Sequence, residues 1–335
     1  MNVPNTNVLN LPFVMNGRTA IQEVPKSTGK VFIESNTTEI TYREVKDEHI
    51  IPVFSATNEP LISHQEIIDS VYSITKNWYH DENVLAPSIR ASHPIKGRIP
   101  EAKYKKAIEL EPWEQTLYYE RMMFCIEIPS ITEIIDDNIL TLTIGGVKSY
   151  SEDNLYGKRP SGEQNFHFFI GFRNKVCCNM CVSSDGVMLN LKVKDLAQLE
   201  QCIYAMISQY NVGSHAETMR KFTAVEITQS EFAQFIGKSR LYKYLTDTQK
   251  SGITPLYFGD QQMGAVVKDF FSDDNFSCRL HAGTINLWKL YNLLTGVNKS
   301  TYIDQFLERA INAQELVMEI AQHKSGEKVS WYLQQ

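Results

Sequence analysis

The stretch from Tyr118 to Val193 places the tightest constraint on what this chain can fold into. Phe124 to Ile128 is apolar before Pro129-Ser130, and Leu140 to Ile144 alternates Leu, Thr, Leu, Thr, Ile before Gly145-Gly146. Phe166 to Phe172 and Val176 to Val182 are β-branched, aromatic or Cys-rich, and Val187 to Val193 follows an Asp185-Gly186 turn. Apolar residues at period two, punctuated by turn residues, read as strands joined by hairpins. From Asp195 the period changes, with Leu196, Leu199, Cys202, Ile203, Met206, Ile207 and Tyr210 at helical spacing behind an acidic cap. The expected unit is an antiparallel meander with a helix laid across one face. Leu140, Leu142 and Ile144 then share one buried face, and Thr141 and Thr143 point the other way.

The flanks differ in texture. Residues 1 to about 50 break every apolar run with Asn, Thr, Ser or Gly, as in Asn2-Val3-Pro4-Asn5-Thr6-Asn7 and Pro25-Lys26-Ser27-Thr28-Gly29-Lys30. Ile51-Pro52-Val53-Phe54 reads as extended, and Ser63-His64-Gln65-Glu66 opens a helix with a capping box, which places His64 at the surface. Pro87, Pro94, Pro100 and Pro112 then bound a connector or functional loop in which no long regular element persists. After Asn211-Val212-Gly213 the chain reads as helical: a second capping box at Thr228 and Glu231, helices over 261–271 and 285–294, and a long amphipathic one over 300–323. The fold class is therefore α+β, a central antiparallel sheet with a packed helix and a helical carboxy-terminal region. The segments are 1–112, irregular with one helix and a Pro-rich basic connector, 113–212, sheet plus helix, and 213–335, helical.

The 335 residues are enough to bury a sizeable core. Hydrophobic residues at 43% and charged residues at 21% exclude disorder, collagen and a charge-rich coiled coil. A net charge of -6 excludes a histone-like binder, so any polyanion must be met by a local patch. Met1 to Val14 has no basic leader, and no apolar run is long enough to cross a bilayer. A cytoplasmic protein with no membrane contact is expected, its six cysteines present as buried thiols without disulfides.

Two basic segments stand out. The first holds Lys96, Arg98, Lys103, Lys105 and Lys106 with Tyr104 among them; the second holds Lys148, Lys158, Arg159, Arg173 and Lys175 with Tyr150 and Tyr156 interleaved. Cationic side chains neutralise phosphates and aromatic faces stack bases, so such mixtures suit single-stranded nucleic acid; an ordinary solvated surface is the plain alternative. Other chemistry has less to stand on. Cys178-Asn179-Met180-Cys181 lacks a second chelating pair, and on a strand Cys178 and Cys181 would face opposite ways, so no metal is expected there. Gly145-Gly146-Val147-Lys148-Ser149 lacks phosphate-loop spacing and reads as a hairpin tip. Asp136-Asp137 and Asp273-Asp274 sit where elements end, and Asn298-Lys299-Ser300 matches the glycosylation pattern only in form. No cofactor is indicated, and no catalytic set emerges from residue order.

Taken together, His93-Pro94-Ile95-Lys96-Gly97-Arg98-Ile99-Pro100, Leu117-Tyr118-Tyr119-Glu120-Arg121-Met122-Met123, Gly145-Gly146-Val147-Lys148-Ser149-Tyr150, Asn174-Lys175-Val176-Cys177 and Phe258-Gly259-Asp260-Gln261-Gln262-Met263 resemble an uncharacterised family carried on conjugative elements and prophages of gut anaerobes. That family is similar in turn to the broader phage/plasmid-like family of unknown function, whose basic-apolar-Cys-Asn strand Arg173 to Asn179 resembles. The resemblance implies a genomic setting and no activity. On topology alone, a sheet crossed by a helix is similar to single-strand annealing proteins of the Rad52 type, although the pI of about 5.8 departs from their basic character. The functional expectation is an accessory protein of a mobile element that binds single-stranded nucleic acid during replication, transfer or recombination. The alternative is a protein-binding module, such as an inhibitor of a host defence system, and the third reading is a metal-dependent nuclease.

Overall fold

Six strands form one antiparallel sheet in the order β1-β2-β5-β6-β7-β8 in the computed structural model, which describes residues 18–22, 30–48, 61–153, 162–280 and 283–334. The strands are β1 (Thr38–Ile40), β2 (Ser88–Ala91), β5 (Arg121–Ile135), β6 (Asn138–Ser149), β7 (Gln164–Asn174) and β8 (Met180–Val193). Strands β3 (Pro94–Arg98) and β4 (Gln115–Tyr119) pair only with each other, as do β9 (Glu226–Thr228) and β10 (Thr284–Asn286). Helices α1 (Tyr42–Asp47) and α2 (His64–Trp78) precede the sheet, and α3 (Leu196–Gln209) and α4 (Val212–Thr223) follow it. Then come α5 (Gln229–Tyr242), α6 (Asp247–Lys250), α7 (Asp260–Ser272), α8 (Leu287–Asn298) and α9 (Phe306–Lys324). The fold is α+β, as the sequence indicates. The expected segments at residues 2–7, 25–29 and 51–54, with Tyr156, Lys158 and Arg159, lie outside the described residues.

The sheet is covered on both faces, not on one. On the first face Phe124, Ile126, Leu142, Ile144, Phe168 and Ile170 pack against Ile67 and Val71 of α2 and Leu199 and Ile203 of α3. On the second, Met123, Cys125, Val147, Phe169 and Val182 pack against Phe306, Leu307 and Ala310 at the start of α9. Trp288, Tyr291 and Leu294 of α8 centre a further cluster with α4, α5, α7 and α9, which reaches the sheet at Leu140 and Phe172. Each cluster draws on distant parts of the chain. Leu140, Leu142 and Ile144 are buried as period two requires, but Thr141 and Thr143 are buried as well, because the far face is covered. Their hydroxyls are satisfied within the sheet, Thr143 donating to the Thr141 carbonyl.

Local signals for helix starts operate as read: Ser63 and Thr228 form capping boxes with Glu66 and Glu231, and Asp195 accepts from the Gln198 amide. Three strand boundaries differ from the sequence reading. Pro129-Ser130 does not end a strand, since β5 continues to Ile135 through a register shift between Ile128 and Thr132, where a missing amide is tolerated. Asp185-Gly186 is not a hairpin turn but part of a bulge in β8, opposite Ile170, where a Cβ on Gly186 would stand 2.3 Å from the Ile170 carbonyl oxygen. Val176 to Asn179 is a turn, not a strand, closed by Asn174 bonding Asn179 across it, with Cys178 at a positive φ of 61°. Cys178 and Cys181 therefore do not lie on opposite faces of one strand; Cys178 is in the turn and Cys181 is buried in β8.

Gly145-Gly146 is the largest departure. Both glycines sit in the middle of β6, paired on either side with Cys125 and Phe169 and with Phe124 and Phe168. A Cβ on Gly145 would lie 2.1 Å from the Phe124 carbonyl oxygen and 2.7 Å from the Phe169 ring, and one on Gly146 would lie 2.8 Å from Phe168. Aromatic rings fill the space that side chains would take. Two other expectations are corrected: α9 begins at Phe306 because Ser300 to Tyr302 is held in turns, and His64 is buried, with Nε2 against the Tyr119 carbonyl at 2.8 Å.

Replacing Leu199 by Ala, at a fully buried position of α3, is expected to cost about 2 to 5 kcal/mol in chemical denaturation. A second expectation concerns acid. His215 of α4 is buried with Nδ1 2.5 Å from the Tyr210 hydroxyl, and burial pushes its pKa from 6.5 down to about 4. Between those values the unfolded chain holds the extra proton, so this group's contribution is complete above pH 6.5 and is lost as pH falls toward 4, by about 3 kcal/mol. Denaturation midpoints of the wild type and His215→Gln at pH 7 and pH 4.5 check it, the variant showing the smaller loss.

Candidate nucleic-acid interface

Strands β3 and β4 prolong the β2 and β5 ladder beyond the end of the sheet. Ser92 N donates to Arg121 O and Tyr150 N to Glu120 O at the point where the sheet stops, and past it Lys96 pairs with Leu117 and Arg98 with Gln115. Residues 94–119 thus form an arm whose tip, 99–114, carries three short 3-10 turns, two of them opened by Pro100 and Pro112. Proline suits such positions because its φ is preset and it needs no amide donor.

Glu114 braces the tip. Its carboxylate is enclosed, accepts from the Lys105 ammonium and from the Glu111 amide at 2.9 Å, and is held below the usual carboxylate range by those bonds. Arg98 donates to the Lys105 carbonyl, so Arg98 and Lys105 are engaged in holding the tip. Lys96, Lys103 and Lys106 are exposed, with no ion pair among the described residues. Tyr104 is 89% exposed with the Lys103 ammonium 4.8 Å from its ring centroid. Two further residues join them that sequence reasoning passed over: Ile108, 92% exposed, and Trp113, 70% exposed. The available signal was a Trp set between Glu111-Pro112 and Glu114 inside the Pro-bounded segment, where no long regular element would bury it.

The second basic segment is placed differently. Lys148 is fully enclosed: its ammonium lies 2.6 Å from the Asp153 carboxylate, donates to the Asn165 carbonyl and sits 4.1 Å from the Phe166 ring centroid. Burial pushes its pKa down to about 8 against the attraction of Asp153. Its charge belongs to the core and is closed to a phosphate. Arg173 is mostly covered, pairs with Glu127 and donates to Cys178 Sγ at 3.2 Å. Lys175 is exposed, but its amide bonds Ile139 at the opposite end of β6 from the arm. At ~3.3 Å per residue, the stretch of β6 between Ile139 and Tyr150 separates Lys175 from the base of the arm by roughly 35 Å. The structure therefore brings together Lys96, Arg98, Lys103, Tyr104, Lys105 and Lys106, and leaves Lys148, Arg173 and Lys175 apart from them.

The paired acids are accounted for by backbone geometry. Asp136 and Asp137 both have positive φ and make the two-residue turn between β5 and β6, and Asp273 accepts from the amides of Asn275 and Phe276. Asn298 is buried and donates to the Phe306 carbonyl. Among the described residues no three His, Cys, Asp or Glu side chains are grouped to hold a metal ion, and no helix is long and apolar enough to cross a membrane.

Fold and arm together define an α+β protein with an aromatic and basic projection at one end of its sheet. The chain belongs to the family described as "Domain of unknown function, B. Theta Gene description (DUF3871)", which matches residues 15–333. Comparison with curated proteins and with solved structures returns no match.

Because Lys148→Met strands the Asp153 carboxylate inside the protein, it is expected to cost about 3 to 5 kcal/mol by urea denaturation. Lys96→Ala, at the exposed edge of β3, is expected to change stability by less than about 0.5 kcal/mol in the same assay.

Proposed function

We propose that this protein binds single-stranded nucleic acid with the arm formed by residues 94–119, as an accessory protein of a mobile genetic element. The observation that carries the reading is the exposure of Tyr104 and Trp113 on a braced support beside Lys96, Lys103 and Lys106. Large aromatic surfaces held in water cost free energy unless a partner covers them, and nucleobases offer flat faces to stack on. The lysines supply the phosphate contacts. The mobile-element setting rests on the sequence resemblance alone.

The arm carries five basic residues and four acidic ones, Glu101, Glu109, Glu111 and Glu114, within a chain of net charge -6. Stacking therefore contributes more than bulk charge. A second reading, docking to a protein, is favoured by Ile108, which offers no base-pairing or phosphate chemistry and stands beside Glu109 and Glu111.

Fluorescence anisotropy with a labelled oligothymidylate is expected to give binding whose log K falls with log salt at a slope of about -2, as three free lysines on a single strand require. Tyr104→Ala and Trp113→Ala are each expected to weaken it by about 1 to 3 kcal/mol, while Lys175→Glu leaves it unchanged. No anisotropy change at low salt, beside a stoichiometric co-purifying protein, would sink the single-strand reading in favour of protein docking.

A further inference from the structure

The end of α5 carries a basic stretch in an acidic chain. Residues 238–260 hold four basic side chains, Lys238, Arg240, Lys243 and Lys250, against the two acids Asp247 and Asp260, while the whole chain has a net charge of -6. Lys243 is paired with Asp260. Lys238, Arg240 and Lys250 have no acidic partner among the described residues, so positive charge is left over at this surface.

Aromatic rings are set among these cations. Tyr242, the last residue of α5, meets Trp331 edge to face, with ring centroids 6.3 Å apart. The Lys238 ammonium lies 4.9 Å from the Trp331 ring centroid and that of Lys250 lies 5.3 Å from the Tyr242 centroid. Just past the helix, Tyr244 is 75% exposed, with the Lys243 ammonium 5.0 Å from its ring. A ring face attracts an ammonium while leaving the charge in water, so the lysines stay available to a second anionic partner. The Lys243-Tyr244 pair repeats the chemistry of Lys103 and Tyr104 on the arm, where the corresponding distance is 4.8 Å.

The two surfaces lie at opposite ends of the sheet. Phe232, Phe235 and Ile236 of α5 are buried in the cluster that meets the sheet at Ile135, Leu140 and Phe172, whereas the arm leaves it beside Arg121 and Tyr150. At ~3.3 Å per residue, the run of β6 from Leu140 to Ser149 puts roughly 30 Å between them.

We infer that the surface formed by the end of α5, Tyr244 and Trp331 is a second contact for a single-stranded nucleic acid, one strand reaching both it and the arm. This rests on the reading of the arm given above. A small anion would use the charges and leave the rings uncovered, and an acidic protein face offers no stack of flat bases. A polymer with a phosphate and a base at every step meets both features, and can do so at both ends of the molecule. Two contacts on one strand make the second binding event intramolecular, so affinity rises steeply once the strand is long enough to span them.

Fluorescence anisotropy on the full chain with labelled oligothymidylates of 6 and 40 nucleotides tests this. The 40-mer is expected to bind about a hundredfold or more tighter than the 6-mer. Its slope of log K against log salt is expected to be about -4 against about -2 for the 6-mer, because three further cations are engaged. Arg240→Glu combined with Lys250→Glu is expected to weaken the 40-mer about tenfold or more, and Tyr244→Ala about fivefold or more, with 6-mer affinity unchanged in both. Unchanged melting temperatures confirm that the variants are folded. Undiminished 40-mer affinity in these variants, one salt slope for both lengths, or competition by polyglutamate as strong as by unlabelled 40-mer would each overturn the inference, the last in favour of an acidic protein partner. Failure of the arm shows differently, as a 6-mer that does not bind or is insensitive to Tyr104→Ala. The 40-mer still decides the α5 surface in that case, through the same variants.

Discussion

Phe168 and Phe169 lie over the bare backbone of Gly146 and Gly145 at the centre of β6, one ring on each face of the sheet. Without side chains on those two glycines the rings pack directly on the strand, and both faces become thick with apolar surface that must be covered. Helices α2 and α3 cover one face and α9 covers the other, which is why residues from 32 to 310 converge on a single sheet. A substitution at either glycine would push an aromatic ring off the strand and separate a helix from the sheet together with it.

Burial on both faces also sets what the charges in the sheet can do. A cation on an enclosed strand has to be matched on the spot, and Lys148 with Asp153, and Arg173 with Glu127, are matched in that way. The first holds β6 to the segment before β7 and the second holds β7 to β5, and with their charges matched neither cation is free to meet a polyanion. What the sheet itself leaves to solution chemistry lies where the layers end: on the arm beyond Arg121, and at the β8 bulge where the ladder opens.

Those two places differ in character. The arm presents exposed aromatic side chains and lysines on a support braced by Glu114. The cavity at the bulge is open and lies between β8, α4 and α9, with Asp185 and Glu315 exposed among its lining residues. They draw on separate parts of the chain, so each can be altered without disturbing the other.

Secondary structure was largely legible because its signals are local. Capping boxes at Ser63 and Thr228, the N-cap at Asp195 and the alternation from Leu140 to Ile144 involve residues within a few positions of each other, and all appear in the structure. Of the candidate interface, the sequence showed the composition of 96–106 but not the place of Trp113 or Ile108. Partnership across the chain was not legible. Lys96 and Lys148 are the same residue type in similar basic, aromatic surroundings, yet one is in water and the other is fully buried. Gly145-Gly146 reads as a turn in isolation and is a strand because Phe124, Phe168 and Phe169 occupy its flanks. The amino-acid sequence by itself determined the elements and the α+β class through short-range hydrogen bonding and periodicity. Only the tertiary structure decided which charges are enclosed and which glycines are packed, since burial is set by strand register between residues tens of positions apart.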